Sequence, residues 1–176
     1  MNIEVEVRSL ISQEKFNELL EFFKKEANYL GEDYQETYYF DSEQDLRIQR
    51  NNNYSKIWLK KGNLHDDQRE EIEIKCKKED FENLEQLFLS LGYKIKIKWF
   101  RTRHTFEIGN ISIMLDYTKG YGHIIELEIL TDEQNKESAL KSLKEKIASL
   151  KIEITPKETF NEKYNYYKEN WQKLIN

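Results

Sequence analysis

Apolar and charged residues alternate with a strict period of two at three widely separated places: Ile3-Glu4-Val5-Glu6-Val7-Arg8, Glu71-Ile72-Glu73-Ile74-Lys75 and Ile125-Glu126-Leu127-Glu128-Ile129. Such alternation puts the apolar side chains on one face of a strand and the charged ones on the other. Any one of these segments by itself reads as an antiparallel strand with one wet face. The three together are more informative, because each carries the same Glu-x-Glu inside the same apolar frame.

The pattern between them predicts an α+β chain. A helix begins near Ser12, with Phe16, Leu19, Leu20, Phe23 and Ala27 on one stripe and Gly31 closing it. Strands follow over Gln35 to Asp41, Leu46 to Arg50 and, after a turn through Asn51, Asn52 and Asn53, Lys56 to Lys60. Gly62 to Gln68 is polar and loop-like, and Arg69 opens the second Glu-x-Glu strand, which ends near Cys76. Phe81, Leu84, Leu87, Phe88 and Leu91 form a second helical stripe, stopped by Gly92.

Tyr93 to Phe106 alternates again. Arg101 and Arg103 share the parity of Ile95 and Ile97, so facing the arginines to a polar interior requires a bulge or break near Lys98. A turn at Gly109-Asn110 leads to Ile111 through Asp116, and Gly120-Tyr121-Gly122 leads into the third Glu-x-Glu strand. Capping boxes at Thr131-Asp132-Glu133-Gln134 and Thr155-Pro156-Lys157-Glu158 open two more helices, with a short strand-like stretch from Ile152 to Ile154 between them. The first of these helices buries Leu140, Leu143, Ile147 and Leu150; the second carries Phe160, Tyr164, Tyr167, Trp171 and Leu174.

Composition narrows the classes of function. A chain of 176 residues is expected to form one domain over 1–176, large enough for a real core. Charged residues make up 35% of it, but aromatics reach 13% and recur throughout, so the charge belongs to a folded protein. A net charge of -5 without a long basic block argues against nucleic acid as the main partner. The single Cys76 offers neither an internal disulfide nor a thiolate cluster. With no signal peptide and no membrane-length apolar run, no membrane partner is expected and the cytoplasm is the expected location.

The polar faces of the strands collect Glu4, Glu6, Glu71, Glu73, Asp116, Glu126 and Glu128 against Arg8, Arg47, Lys60, Arg69, Lys75, Arg101 and Arg103, with Lys56 as a further base. If the opposite faces pack under helices, these charges point either to bulk water or into a shared space, which requires a closed sheet. The fold expected is therefore a closed antiparallel eight-stranded β-barrel, a tunnel with helices packed outside. Its interior must be wet, because dry burial of each ion costs several kcal/mol. A wet, mixed-charge interior suits a polyanion held by lysine and arginine together with a hard dication, Mg²⁺ or Mn²⁺, held by carboxylates.

In order, these segments resemble the CYTH superfamily, the triphosphate tunnel metalloenzymes. Glu4-x-Glu6-x-Arg8 is similar to the family's N-terminal signature, where a lysine is more usual than Arg8. Gln35 to Asp41 resembles Gln-x-Asp-x-Tyr-Phe-Asp with Thr37 replacing the acid, and Leu46-Arg47-Ile48 resembles a Leu-Arg-Ile-Arg strand with Gln49 at the second arginine. Lys60, Arg69-x-Glu71-x-Glu73, Arg101-x-Arg103, Asp116 and Glu126-x-Glu128 follow at matching places, while Gly120-Tyr121-Gly122 replaces a Leu-Gly turn.

The resemblance implies that Glu4, Glu6, Glu126 and Glu128, helped by Asp116, ligate the metal. It implies that Arg8, Arg47, Lys60, Arg69, Lys75, Arg101 and Arg103 bind the triphosphate, with Arg50 or Lys75 offsetting the neutral Gln49. Glu71 and Glu73 join Glu4 and Glu6 as catalytic candidates, binding a second metal or orienting a water. The reaction implied is hydrolysis of tripolyphosphate, thiamine triphosphate or a nucleoside triphosphate such as ATP. Class IV adenylyl cyclase activity is the alternative, a non-catalytic polyphosphate or nucleotide binder the third reading, and a homodimer is left open. His65, His104 and His123 read as surface or packing residues, Cys76 as a small buried side chain, Trp58 as packing and Tyr121 as a turn residue.

Overall fold

The computed structural model describes residues 3–60 and 71–176. The predicted loop from Gly62 to Gln68 and Arg69 lie outside the described residues, and Glu71 is described by its backbone alone. The strands are β1 (Ile3–Ile11), β2 (Asn28–Phe40), β3 (Asp45–Arg50), β4 (Tyr54–Lys60), β5 (Glu71–Lys77), β6 (Ile95–Ile108), β7 (Ile111–Thr118) and β8 (Gly122–Thr131). The helices are α1 (Gln13–Glu26), α2 (Phe81–Ser90), α3 (Lys136–Ser149) and α4 (Lys157–Leu174). Among the described residues, no helix is long and apolar enough to cross a membrane.

The chain forms two compact units, residues 1–32 with 102–167 and residues 33–101 with 168–176. In the first, β1, β8 and β7 turn Val5, Val7, Ile113, Leu115, Ile125, Leu127 and Ile129 into one apolar cluster. Phe16, Leu19 and Phe23 of α1 and Ala139, Leu143 and Ile147 of α3 complete it. In the second, Tyr38 and Phe40 of β2 and Leu46 and Ile48 of β3 pack with Phe81 and Leu84 of α2. Period-two strands meet period-3.6 helices in both, so within each strand the residues that alternate with these cluster members point to the other face.

The helix ends show which local signals dominate. Ser12 Oγ accepts the Lys15 amide at 3.1 Å and starts α1. Gly31 does not close that helix, which ends at Glu26; it lies inside β2 with φ 127°. Gly92 does stop α2: its φ of 91° lets the Tyr93 amide reach the Phe88 carbonyl at 3.1 Å and its own amide reach that of Leu89 at 3.0 Å, with Phe88 and Tyr93 in ring contact.

Thr131 pairs with Ile3 as the last residue of β8, so Asp132 becomes the cap instead and accepts the Asn135 amide at 3.0 Å. Thr155 does not form its box either. Its hydroxyl meets Ser9 Oγ at 2.8 Å and accepts the Leu10 amide at 2.9 Å, tying the start of α4 to β1. Ile152 to Ile154 forms no strand.

The closed barrel is not what the structure shows. The strand order is β1-β8-β7-β6-β2-β3-β4-β5, with β1 and β5 as the two ends and no ladder joining them among the described residues. Every pairing whose register is described is antiparallel, so the α+β class and the strand direction agree with the sequence reading. Alternation along a strand reports which face is wet. Closure depends on strand tilt and stagger between the end strands, which alternation does not encode.

Candidate functional site

The first unit carries an acidic face. In register, Glu6 lies directly opposite Glu128 and Arg8 opposite Glu126, while Glu128 and Glu126 in turn face Ser112 and Met114 of β7. These even-numbered positions lie on the face away from Val5, Val7 and Leu127, so the parity that buries the core also gathers the carboxylates. Like charges opposed across a ladder repel. Burial, with the charges of Glu4, Glu126 and Glu6, pushes the Glu128 carboxyl up to about 7, and Arg103 only partly offsets this.

Arg103 on β6 organises the middle of this face. Its Nε donates to Asp116 Oδ1 at 2.8 Å and its Nη2 to Oδ2 at 2.6 Å, with Glu126 Oε1 3.4 Å from Nη2. Asp116 is 2% exposed, so this fork is its compensation for burial. Burial alone pulls the guanidinium down, but the Asp116 hydrogen bonds and the charges of Asp116, Glu126 and Glu128 more than reverse that and hold it above its ordinary value. Arg8 lies over the Phe160 ring of α4, 4.9 Å from its centroid.

The second unit carries a basic face around an indole. Lys56 and Lys60 each place Nζ 4.0 Å from the Trp58 ring centroid, and the Arg47 guanidinium lies 5.1 Å away. Arg47 also covers the Tyr39 ring at 4.4 Å, and its Nε donates to Asp45 at 2.6 Å. Glu73, opposite Trp58 in the β4–β5 register, receives Lys56 Nζ at 2.7 Å. Arg101 Nε donates to Gln35 Oε1 at 2.8 Å, and Gln49 donates to the Thr37 hydroxyl at 2.8 Å. Lys75 is mostly exposed and lies 4.8 Å from the Tyr54 ring.

Several expectations can now be located. Glu4, Glu6, Arg8, Arg103, Asp116, Glu126 and Glu128 all fall in the first unit, and Arg47, Lys60, Glu73, Lys75 and Arg101 in the second. Arg50 does not offset Gln49. Its Nε donates to Glu36 at 2.8 Å, its Nη1 reaches Glu82 of α2 at 2.5 Å, and it lies over Phe81 on the helix side.

Lys56 stands directly opposite Gln49 instead. It was absent from the predicted phosphate set, although its alternation with Lys60 was the signal for it. The arginine parity problem also resolves. Ile95 and Phe100 pack on one cluster, and Lys98 lies over Tyr38 and near Glu85 of α2, so the alternation shifts phase between Ile95 and Lys98.

Two of the histidines, His104 and His123, are packing residues, and His65 lies outside the described residues. His104 is buried, 3.0 Å from the Tyr29 hydroxyl through Nδ1, and its basicity is lowered chiefly by burial. His123 lies between Phe16 and Tyr117, and burial lowers it as well. Trp58 packs, as expected, but among cations, and Tyr121 is buried edge-on to Tyr167.

Among the described residues, no three acidic, histidine or cysteine side chains stand close enough together to enclose a cation as placed. The chemistry of the acidic face nevertheless fits a dication. Its carboxylates are oxygen ligands, and a crowd that holds a proton near neutrality is relieved by positive charge. Asp116, with both oxygens on Arg103, is the candidate ligand already committed elsewhere.

A family model described as the CYTH domain matches residues 2–162. No curated protein sequence matches the chain. Among solved structures, the PH1012 protein of Pyrococcus horikoshii is 23% identical with a TM-score of 0.71, over 88% of this chain and 96% of its own. A Vibrio parahaemolyticus protein provisionally described as an adenylate cyclase is 19% identical with a TM-score of 0.64, over 89% and 96%. A Bacillus halodurans protein with the same provisional description is 18% identical with a TM-score of 0.63, over 88% and 92%. At these identities the likeness is one of fold.

Proposed function

The chain belongs to the CYTH domain family, a family of triphosphate-related enzymes, and from that premise we propose that it is a divalent-metal-dependent triphosphatase. The observation that carries this reading is the facing of Glu6 and Glu128 across β1 and β8, beside an arginine held charged by a buried aspartate. Glu4, Glu6, Glu126 and Glu128 would hold Mg²⁺ or Mn²⁺. When bound, such an ion polarises phosphate oxygens and acidifies a coordinated water.

The protein's own groups supply the rest. Arg103, fixed by Asp116, presents a permanent positive charge to phosphate oxygens, and Arg8 adds a second. In the second unit, Arg47, Lys56, Lys60 and Arg101 are assigned to phosphate, with Trp58 holding two of the lysines in position. Lys75 is a further phosphate candidate, as is Arg69, which lies outside the described residues. Glu73 remains a candidate for orienting water, as does Glu71 by its strand position.

In hydrolysis a water oxygen bonds the terminal phosphorus, the bridging P–O bond breaks, and pyrophosphate leaves tripolyphosphate. Hydrolysis needs only phosphates and water to be positioned. Cyclisation also needs a nucleoside held with its 3′-hydroxyl at the α-phosphorus. The provisional names of the Vibrio and Bacillus neighbours favour that second reading.

One experiment separates these readings: incubation with tripolyphosphate or ATP and Mg²⁺ or Mn²⁺, with the products resolved. Orthophosphate is the expected product. Cyclic nucleotide with pyrophosphate would make the chain a cyclase. Tight binding without turnover would make it a binding module.

A further inference from the structure

The chain ends two helices with the same motif and different residues. After α2, the Gly92 amide donates to the Leu89 carbonyl and the Tyr93 amide to that of Phe88. After α3, the Lys151 amide donates to the Ala148 carbonyl at 2.9 Å and the Ile152 amide to that of Ile147 at 3.4 Å, so Lys151 holds the place that Gly92 holds in α2. Its φ is 59°, and among the described residues it is the one residue other than glycine in the left-handed region. A side chain there carries a conformational cost that glycine avoids, and strain of this kind marks places where the side chain serves something beyond the turn.

Lys151 lines a cavity of about 480 Å³ in the first unit, and none of the residues assigned above to metal or phosphate lines it. The cavity follows from how the chain beyond α3 is fastened. Ser9 Oγ donates to the Glu153 carbonyl at 2.5 Å and Thr155 Oγ1 accepts the Leu10 amide, so this segment is held to β1 through two hydroxyls and not by a ladder. Beside them Ile11, Ile152, Ile154 and Pro156 form apolar walls, with Ile154 41% exposed. The polar lining comes from Lys15 of α1, Lys151, Glu153, Thr155 and Thr159.

Two cations there stand against one carboxylate. Thr159 lies in the first turn of α4, an 18-residue helix whose start favours negative charge. Lys15 pairs with Glu18 at 2.8 Å, but the Glu18 side chain is 66% exposed, and a surface pair of that kind yields to a better partner. The Lys151 ammonium has no hydrogen bond and no ion pair among the described residues. Apolar walls with a few cationic groups suit a small amphipathic anion.

We infer that this cavity binds an aliphatic carboxylate, with Lys151 and Lys15 holding its head and Ile11, Ile152 and Ile154 its chain. Titration of the isotope-labelled protein with octanoate, followed by backbone amide shifts, tests this. The shifts should saturate at Ile11 and over 151–155, and tripolyphosphate should not displace them. Acetate has the head without the chain, and octyltrimethylammonium has the chain with the opposite head. Neither should shift these amides at the concentration that saturates with octanoate. Lys151→Gly should raise the melting temperature of the ligand-free protein by roughly 2–4 °C, because the strain is relieved, and should weaken octanoate about tenfold. Lys151→Arg keeps the charge and should bind octanoate as the wild type does.

Three results would overturn the inference. One is the absence of saturable shifts at these amides. Another is equal binding of octyltrimethylammonium, which would make the cavity an apolar groove indifferent to charge. The third is a Lys151→Gly variant that is more stable and still binds octanoate as tightly as the wild type. All three are read from shifts and melting in the absence of turnover, so they stand apart from the fate of triphosphate.

Discussion

Gln49 donates a 2.8 Å hydrogen bond to the hydroxyl of Thr37, its partner across the β2–β3 ladder, and both side chains are buried. These are two of the positions at which the chain departs from the CYTH pattern, one losing an acid and the other an arginine. They are one coupled departure, a charged pair exchanged for a neutral one. Gln49→Arg alone sets a buried guanidinium against a hydroxyl, whereas Thr37→Asp with Gln49→Arg restores a partner. A double-mutant cycle in urea should show the arginine variant losing about 2 kcal/mol and the double variant recovering at least half of it.

The Glu128 carboxyl supplies a pH dependence of stability. Its folded value is raised to about 7 from the ordinary 4.5, so between those values the folded protein keeps a proton the unfolded chain has lost. Stability from this group is present below the window and disappears as pH rises through it. In metal-free protein, Glu128→Gln should raise the melting temperature at pH 8 by roughly 2–4 °C, corresponding to about 1 kcal/mol after solvent screening, and have no effect near pH 4.5.

Glu4→Gln with Glu6→Gln should abolish metal-dependent turnover and leave the metal-free protein at least as stable, because two repelling charges are gone. Saturating Mg²⁺ should raise the melting temperature of the wild type and leave that of the double variant where it was. Full activity in the double variant would assign the site to other carboxylates.

Replacing Arg103 strands the Asp116 carboxylate, which is 2% exposed. Arg103→Met should therefore cost about 3 kcal/mol near pH 7, measured by denaturant unfolding. Arg103→Lys keeps the charge but loses the fork and should fall between the two.

Lys56 stands opposite Gln49 and over Trp58, where it is placed to take the role of the missing arginine. Lys56→Gln should raise KM for tripolyphosphate about tenfold with kcat nearly unchanged, as expected for loss of ground-state phosphate binding. An equal fall in kcat would place Lys56 in the transition state instead.

Most of the local structure is written in periodicity. The three Glu-x-Glu strands, the stripes of α1 to α4 and the Gly92 stop follow from residue spacing, because burial of one face selects helix or strand directly. Where the reading fails, a partner distant in sequence is responsible. Thr155 is drawn from its capping box by Ser9, Thr131 by its pairing with Ile3, and Gly31 is taken up by β2. Arg50 belongs to Glu36 and Glu82, as even parity on β3 already indicated once Ile48 is known to be core.

The sequence by itself determined where most of the strands lie, which face of the three Glu-x-Glu strands is charged, and that carboxylates and cations are both present in the family's order, since all of these depend on neighbours along the chain. Only the tertiary structure decided that Glu6 confronts Glu128, that Asp116 is committed to Arg103, that Lys56 stands opposite Gln49, and that β5 ends the strand order with no ladder to β1 among the described residues. Register and closure are set by how distant strands stagger and tilt against one another, and a one-dimensional pattern of period two is the same for every such arrangement.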